Sequence, residues 1–170
     1  MQFPIINKGI TLNEIPNRIA VFFEIGGCRQ KCRGCHSPHL ADLPEDFMSL
    51  DEIIEYTKKQ KDNGATAVVL LGGTNNRKTT YEMMVALIKN LSTILPVGLY
   101  SGRPVNSSIH TSYAKLLELT WFKVGDYKAR CGGLDDPHTN QRFYVRTPLL
   151  KRWVDCTYIF QGETNDTRKT

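Results

Sequence analysis

The sequence predicts a single α/β domain built on mostly parallel strands. Three observations indicate this class: apolar strand-like runs alternate with amphipathic helical segments, the strand-like runs are almost continuously apolar, and the chain has 170 residues. Strands that alternate with helices form βαβ units with right-handed crossovers, and strands buried on both faces are typical of parallel sheets. With 41% hydrophobic and 23% charged residues, the chain suits one globular core.

The first two predicted strands enclose a helix with clear end signals. The strands are "RIAVFFEI" (18–25) and "TAVVLLGG" (66–73). Between them, Ser49 and Glu52 form a capping box at the start of "SLDEIIEYTKKQKDNG", and Gly64 provides the stop. One face of this helix carries Leu50, Ile53, Ile54 and Thr57.

The alternation continues through two more helices and two more strands. "TTYEMMVALIKNLSTIL" is predicted to be a helix, and "PVGLYSG" (96–102) a buried strand. "SYAKLLEL" (112–119) is a shorter helix, which "WFKVGDY" (121–127) follows as a strand. Ligands of such sheets bind at the loops after the carboxyl ends of the strands. We therefore expect the loops that follow these strands to surround one site.

The last part of the chain is less regular. After residue 126 the sequence is rich in Gly, Asp, Pro and Asn, and only "DCTYIF" (155–160) suggests a further strand. We expect one domain over residues 1–170, a core at about 16–160 and a frayed tail at 161–170.

The charge and hydropathy patterns exclude some partners. The net charge of +5 is modest, and no basic helix with interleaved aromatic residues suggests a nucleic-acid partner. There is no signal-peptide pattern and no run of ~20 apolar residues, so we expect no membrane partner and a cytoplasmic location. Thiols stay reduced there, which favours metal binding or catalysis over disulfides for clustered cysteines.

The loop "GCRQKCRGCHSPHL" contains Cys28, Cys32 and Cys35 directly after the first apolar strand. A structural zinc site needs four ligands, usually as two pairs far apart in sequence. A four-iron cluster held by only three thiolates leaves one iron open, as a catalytic site requires. The spacing alone leaves both possibilities open. The fourth ligand of a zinc site would have to be His36, His39, Cys131 or Cys156.

The spacing Cys28-x3-Cys32-x2-Cys35 resembles the signature of the radical S-adenosylmethionine (SAM) superfamily. Together with "YKARCGGLDDPHTNQRFY", the cysteine loop resembles the small activating proteins of anaerobic ribonucleoside-triphosphate reductase. The resemblance covers roughly residues 16–146. It implies a partial (β/α) barrel of the radical SAM type, in which the three cysteines hold a [4Fe–4S] cluster.

The same resemblance implies an activity and partners. An electron from the cluster would cleave SAM to methionine and a 5′-deoxyadenosyl radical. The radical would then abstract a hydrogen from one glycine of the large subunit of the anaerobic reductase, leaving a glycyl radical. A low-potential donor such as flavodoxin or ferredoxin would supply the electron. The alternatives are a radical SAM enzyme with another glycyl-radical protein or a small molecule as substrate, and a non-enzymatic zinc interaction domain.

The resemblance also assigns contacts to SAM. Gly34, Cys35 and His36 would present backbone to the adenine, and Ser101 would line the ribose or methionine end. A glycine pair after the second strand would meet the amino group of SAM. An acidic residue usually follows that pair in the family, whereas this chain has a threonine, which lacks the charge to pair with an ammonium group. These three positions are Gly72, Gly73 and Thr74.

Two groups of residues are expected to contact the protein partner. Arg29, Lys31 and Arg33 alternate with the cysteines and would steer an acidic surface or compensate an anionic centre. Asn140, Gln141 and Arg142 lie in the polar segment that carries the second part of the resemblance. A complete barrel typically needs ~250 residues, so this shorter chain would leave one side open. We therefore expect a macromolecular substrate to cover that side.

Overall fold

The computed structural model describes residues 1–162, and a seven-stranded sheet organises them. The strands are β1 (Gln2–Phe3), β2 (Ile5–Thr11), β3 (Ala20–Ile25), β4 (Met48–Ser49), β5 (Ala67–Gly72), β6 (Val97–Ser101), β7 (Leu119–Val124), β8 (Arg142–Arg146) and β9 (Trp153–Asp155). The helices are α1 (Leu50–Asp62), α2 (Tyr81–Ser92) and α3 (Ile109–Ala114). The large sheet has the order β2-β3-β5-β6-β7-β8-β9, and β1 pairs separately with β4.

The centre of the sheet is parallel and its two sides are antiparallel. β3, β5, β6 and β7 run parallel, whereas β2 pairs antiparallel with β3, and β8 and β9 extend the other side antiparallel. Three of the six pairings in the large sheet are antiparallel, whereas the sequence predicted mostly parallel strands. The β2–β3 and β8–β9 links are too short for the crossover of a dozen or more residues that a parallel pair needs. The β7–β8 link (125–141) is longer but contains no crossover helix.

The predicted strands of the parallel centre are present, and their ends differ by at most three residues from the prediction. α1 has the predicted capping box: the Ser49 side chain accepts the Glu52 N–H, and the Glu52 side chain accepts the Ser49 N–H. The third helix was predicted at 112–119 but covers Ile109–Ala114. It ends early because the chain must reach β7, whose first residue pairs with Val97.

The predicted strand at 155–160 is wrong. β9 lies earlier, and the chain then forms a short 3-10 helix at Thr157–Phe160. The Asp155 side chain accepts the Thr157 N–H at 3.0 Å, and this local bond turns the chain out of the sheet. Of the tail predicted to be frayed, residues 163–170 lie outside the described part of the chain.

The two faces of the sheet have different neighbours. One side, which we call the outer face, packs its apolar side chains against α1, α2 and α3. The opposite side, the inner face, carries a smaller apolar cluster around Val69, Trp121 and Phe143 and then meets a cavity. Within residues 1–162, none of the helices combines the length and hydropathy that crossing a bilayer requires.

Candidate functional site

A cavity of about 520 Å³ lies at the carboxyl ends of the parallel strands. The ends of β5, β6 and β7 and the loops after β3, β6 and β7 contribute to its wall, as expected for ligand sites of parallel sheets. Seven of the residues singled out from the sequence line it: Cys28, Cys32, Cys35, His36, Gly72, Ser101 and Gln141. Gly34, Gly73 and Thr74 are not part of its lining.

The three cysteines of the loop are free thiols that face this cavity. The Gln30 N–H donates to Cys28 Sγ, and the Ser37 N–H donates to Cys35 Sγ, both at 3.4 Å. Burial raises the pKa of the Cys32 thiol, with smaller contributions from the neighbouring acidic groups and an opposing backbone hydrogen bond. The loop thus brings three sulfur donors to one space.

These donors suit an iron–sulfur cluster in their chemistry. Thiolates are the usual ligands of such clusters, and hydrogen bonds to sulfur tune their potentials. Among residues 1–162, no three Cys, His, Asp or Glu side chains form a group that could hold a metal ion as they stand. Metal ligands are often gathered only on binding, so binding of a cluster would require the loop from Cys28 to Cys35 to tighten.

The loop that follows β5 holds the cysteine loop in place. The Arg29 N–H donates to the Asn75 carbonyl at 2.9 Å, and Asn75 Nδ2 donates to Gln30 Oε1 at 2.7 Å. Asn76 Nδ2 donates to the Gly26 carbonyl at 2.7 Å. The two asparagines after Thr74 therefore position the thiols, which gives this polar segment a structural role.

The glycine pair is required by packing. Gly72 and Gly73 have φ of +87° and +85°, in the region that favours glycine. A Cβ on Gly72 would lie 2.8 Å from the Ile25 carbonyl oxygen, and one on Gly73 would lie 2.7 Å from Met84 Sδ. The missing side chains thus allow β5 to end against β3 and α2, and only Gly72 borders the cavity.

Thr74 belongs to a buried chain of hydrogen bonds. Its Oγ1 lies 3.0 Å from Ser101 Oγ, which in turn lies 2.9 Å from His110 Nε2. His110 Nδ1 is 3.1 Å from the Val105 carbonyl, so Nδ1 carries the proton and Nε2 accepts from Ser101. Burial lowers the pKa of His110, which favours this neutral form. The Ser101 oxygen then accepts from Thr74 Oγ1 and, at 3.4 Å, from the Arg103 N–H, so its hydrogen bonds are made within the chain.

Two loops meet at the mouth of the cavity. The rings of His36 and Tyr127 are 4.2 Å apart between centroids, and both residues line the cavity. Gly34 lies on the solvent side of the same contact, near Ala129. The aromatic pair therefore joins the cysteine loop to the loop after β7.

The residues predicted to contact a partner fall into two environments. Arg29, Lys31 and Arg33 are exposed, and none of them has a carboxylate within 4.0 Å in the part of the chain that the structure describes. The other three bond to their own chain: Asn140 donates to the Asp126 carbonyl, Gln141 to the Gly125 carbonyl, and Arg142 to the Thr139 carbonyl.

The cavity also contains charged groups that the sequence analysis did not single out, namely Glu14, Glu24, Lys123 and Asp135. Glu24 Oε2 is 3.0 Å from His39 Nε2. Burial raises the pKa of Glu14, and burial lowers the pKa of Lys123 to about 8. Lys123 could have been identified from the sequence, because a lysine within the apolar strand "WFKV" is unusual.

Comparisons with protein-family models, with curated proteins and with solved structures found no match. The resemblance to radical SAM activating proteins therefore stays a prediction from the two sequence segments.

Proposed function

We propose that this protein is a radical SAM activating enzyme, a partial (β/α) barrel that binds a [4Fe–4S] cluster and SAM. Its substrate is a glycine in the large subunit of anaerobic ribonucleoside-triphosphate reductase. The observation that carries this proposal is the meeting of three free thiols, the Gly72 turn and the Ser101 hydroxyl on one cavity at the carboxyl ends of parallel strands.

The residues of this chain have distinct roles in the proposal. Cys28, Cys32 and Cys35 hold the cluster, which supplies the electron for reductive cleavage of SAM. Ser101 lines the ribose or methionine end of SAM and is held in place by its hydrogen bonds with Thr74 and His110. The His36 and Tyr127 rings close one wall and exclude water from the reacting region.

The surface around the cavity supports a protein substrate. The cysteine loop carries the exposed side chains Arg29, Lys31 and Arg33. The loop after β7, which the His36–Tyr127 contact holds beside it, carries Lys128 and Arg130. We call these five exposed side chains the basic rim. A rim of one charge sign steers an acidic partner toward the cavity, where a glycine loop or an electron donor such as flavodoxin or ferredoxin approaches the cluster.

The test is electron paramagnetic resonance of the anaerobically reconstituted and reduced protein, with and without SAM. We expect a [4Fe–4S] signal that changes on addition of SAM and is lost in Cys32→Ala. Cys131→Ala is the matched control, because this cysteine does not line the cavity, and its signal should equal that of the wild type. Zinc binding without a cluster would contradict the proposal and favour a structural metal domain.

A second measurement identifies the substrate. The reduced protein is mixed with SAM and the large subunit of an anaerobic reductase, and a glycyl-radical signal is expected on that subunit. SAM cleavage without such a signal would contradict the assignment of the substrate and leave a radical SAM enzyme with another target.

A further inference from the structure

Lys123 occupies a defined place in a row of residues across the inner face. Strand register aligns Glu24, Leu71, Tyr100, Lys123 and Phe143, each on the next strand of the sheet. Because side chains alternate between faces, the side chains of this row point to the inner face. On β3, β5 and β7 the row lies one residue before the end of the strand, next to the cavity. A lysine on β7 therefore projects toward the space that the three cysteines border.

The Lys123 ammonium has no partner of its own. In the part of the chain that the structure describes, it has neither a hydrogen bond nor a carboxylate within 4.0 Å. Its Nζ lies over the Tyr100 ring, 5.7 Å from the centroid. It is largely buried, and it is the one lysine or arginine among the described residues that line the cavity. A buried cation without a partner is costly, so its place in the cavity calls for an anionic occupant.

The negative groups near Lys123 show where that occupant lies. Glu14, the sulfurs of Cys32 and Cys35, and Asp126 are close enough to act on the lysine charge. The other cavity glutamate, Glu24, is already paired with His39. Lys123 thus shares one cavity with an acidic side chain and the thiols.

We propose that Lys123 is the counter-charge for an anionic metal–thiolate group bound at Cys32 and Cys35, and that Glu14 opposes it. This inference rests on the proposed function. An iron–sulfur cluster held by thiolates is negatively charged overall and becomes more so on reduction. A fixed positive charge in a poorly solvated cavity stabilises the reduced form more than the oxidised form. Lys123 consequently raises the reduction potential of the cluster, and Glu14 lowers it.

The experiment is a redox titration of the reconstituted protein without SAM, followed by electron paramagnetic resonance. In Lys123→Met the midpoint potential should move negative, so that the reduced fraction at a fixed solution potential falls by about tenfold. In Glu14→Gln the midpoint should move in the opposite direction. Lys123→Arg should keep the wild-type value because it keeps the charge.

Lys89→Met is the matched control, since it removes an exposed lysine from α2 on the outer face. Its midpoint should not change because water and salt screen that charge. Circular dichroism and iron content check folding and loading of each variant. Failure of Lys123→Met to load iron, while Lys123→Arg loads normally, would also support the counter-charge.

Other results would overturn the inference. An unchanged midpoint in Lys123→Met, with or without weaker SAM binding, would exclude the counter-charge while leaving the proposed function intact. Loss of the cluster in both Lys123→Met and Lys123→Arg would show a need for the lysine shape and not for its charge. Absence of a cluster in the wild type would overturn the proposed function together with this inference.

Discussion

The outer and inner faces of the sheet are built from alternate residues of the same strands, yet they differ in character. On β6 and β7, Leu99 and Phe122 point outward and are sealed by helices, whereas their neighbours Tyr100 and Lys123 face the cavity. The outer face is a continuous apolar layer, and the inner face combines a small apolar cluster with charged groups. One face therefore supplies stability, and the other can carry groups that cost stability.

The strand ends join these two faces. Ser101 is fully buried, yet it both borders the cavity and bonds to His110 of α3, which covers the outer face. The helical layer thus determines the direction of a hydroxyl group in the candidate site. The following predictions test how independently the two faces contribute to the stability of the protein.

The largest effect on stability is expected on the outer face. Leu99→Ala removes a fully buried side chain and should lower the free energy of unfolding by about 2–5 kcal/mol. Urea denaturation measures this change, and the slope with denaturant should stay constant. Leu117→Ala is the control, because Leu117 is 66% exposed and its loss should cost less than about 0.5 kcal/mol. Equal losses of unfolding free energy in the two variants would contradict the conclusion that the outer apolar layer supplies stability.

The inner face should respond in the opposite direction. Lys123→Met removes a poorly solvated charge, so the metal-free protein should become more stable at pH 7, by up to about 3 kcal/mol. Burial lowers the folded-state pKa of Lys123 to about 8, below its usual value of 10.5. The unfolded chain therefore binds more protons between these values, and wild-type stability should rise with pH there. Lys123→Met should lack this rise.

The unfolding free energies of the wild type and of Lys123→Met are measured by urea denaturation at pH 7 and at pH 10. Lower stability of Lys123→Met at pH 7 would show that the lysine stabilises the metal-free fold. The inner face would then contribute to stability, contrary to the difference between the two faces described above.

The smallest effect is expected at the junction between the faces. Burial lowers the pKa of His110, so as the pH falls below 6.5 the unfolded chain takes up a proton before the folded chain does. Stability should therefore decline on acidification through this range. His110→Gln should flatten that decline, as measured by denaturation at pH 7 and pH 5. An unchanged slope would mean that other groups control the acid sensitivity.

Much of the parallel centre could be predicted from the sequence. Continuous apolar runs marked its four strands, and the capping box at Ser49 and Glu52 marked the start of α1. These features depend on local composition and spacing. The meeting of the cysteine loop, Gly72 and Ser101 on one cavity also followed from the rule that loops after parallel strands share one edge.

The antiparallel strands could not be predicted in the same way. β2 contains Asn7, Lys8 and Gly9, which weaken its strand pattern. In β8 the strand-forming run is only three residues long, Phe143 to Val145, and it follows a polar, turn-rich stretch. The partner of Thr74 was equally hidden, because its bond to Ser101 depends on the adjacency of β5 and β6.

The strand order has a consequence for how the protein folds. The strands of the large sheet lie in chain order, so that each new strand pairs with the previous strand of that sheet. Short-range pairing favours rapid folding, and a chain made from its N-terminus can add each new strand to an existing edge. The cysteine loop is secured once Asn75 and Asn76 have been synthesised, whereas Lys123 arrives later with β7. During synthesis, the cavity therefore acquires its thiols before its positive charge.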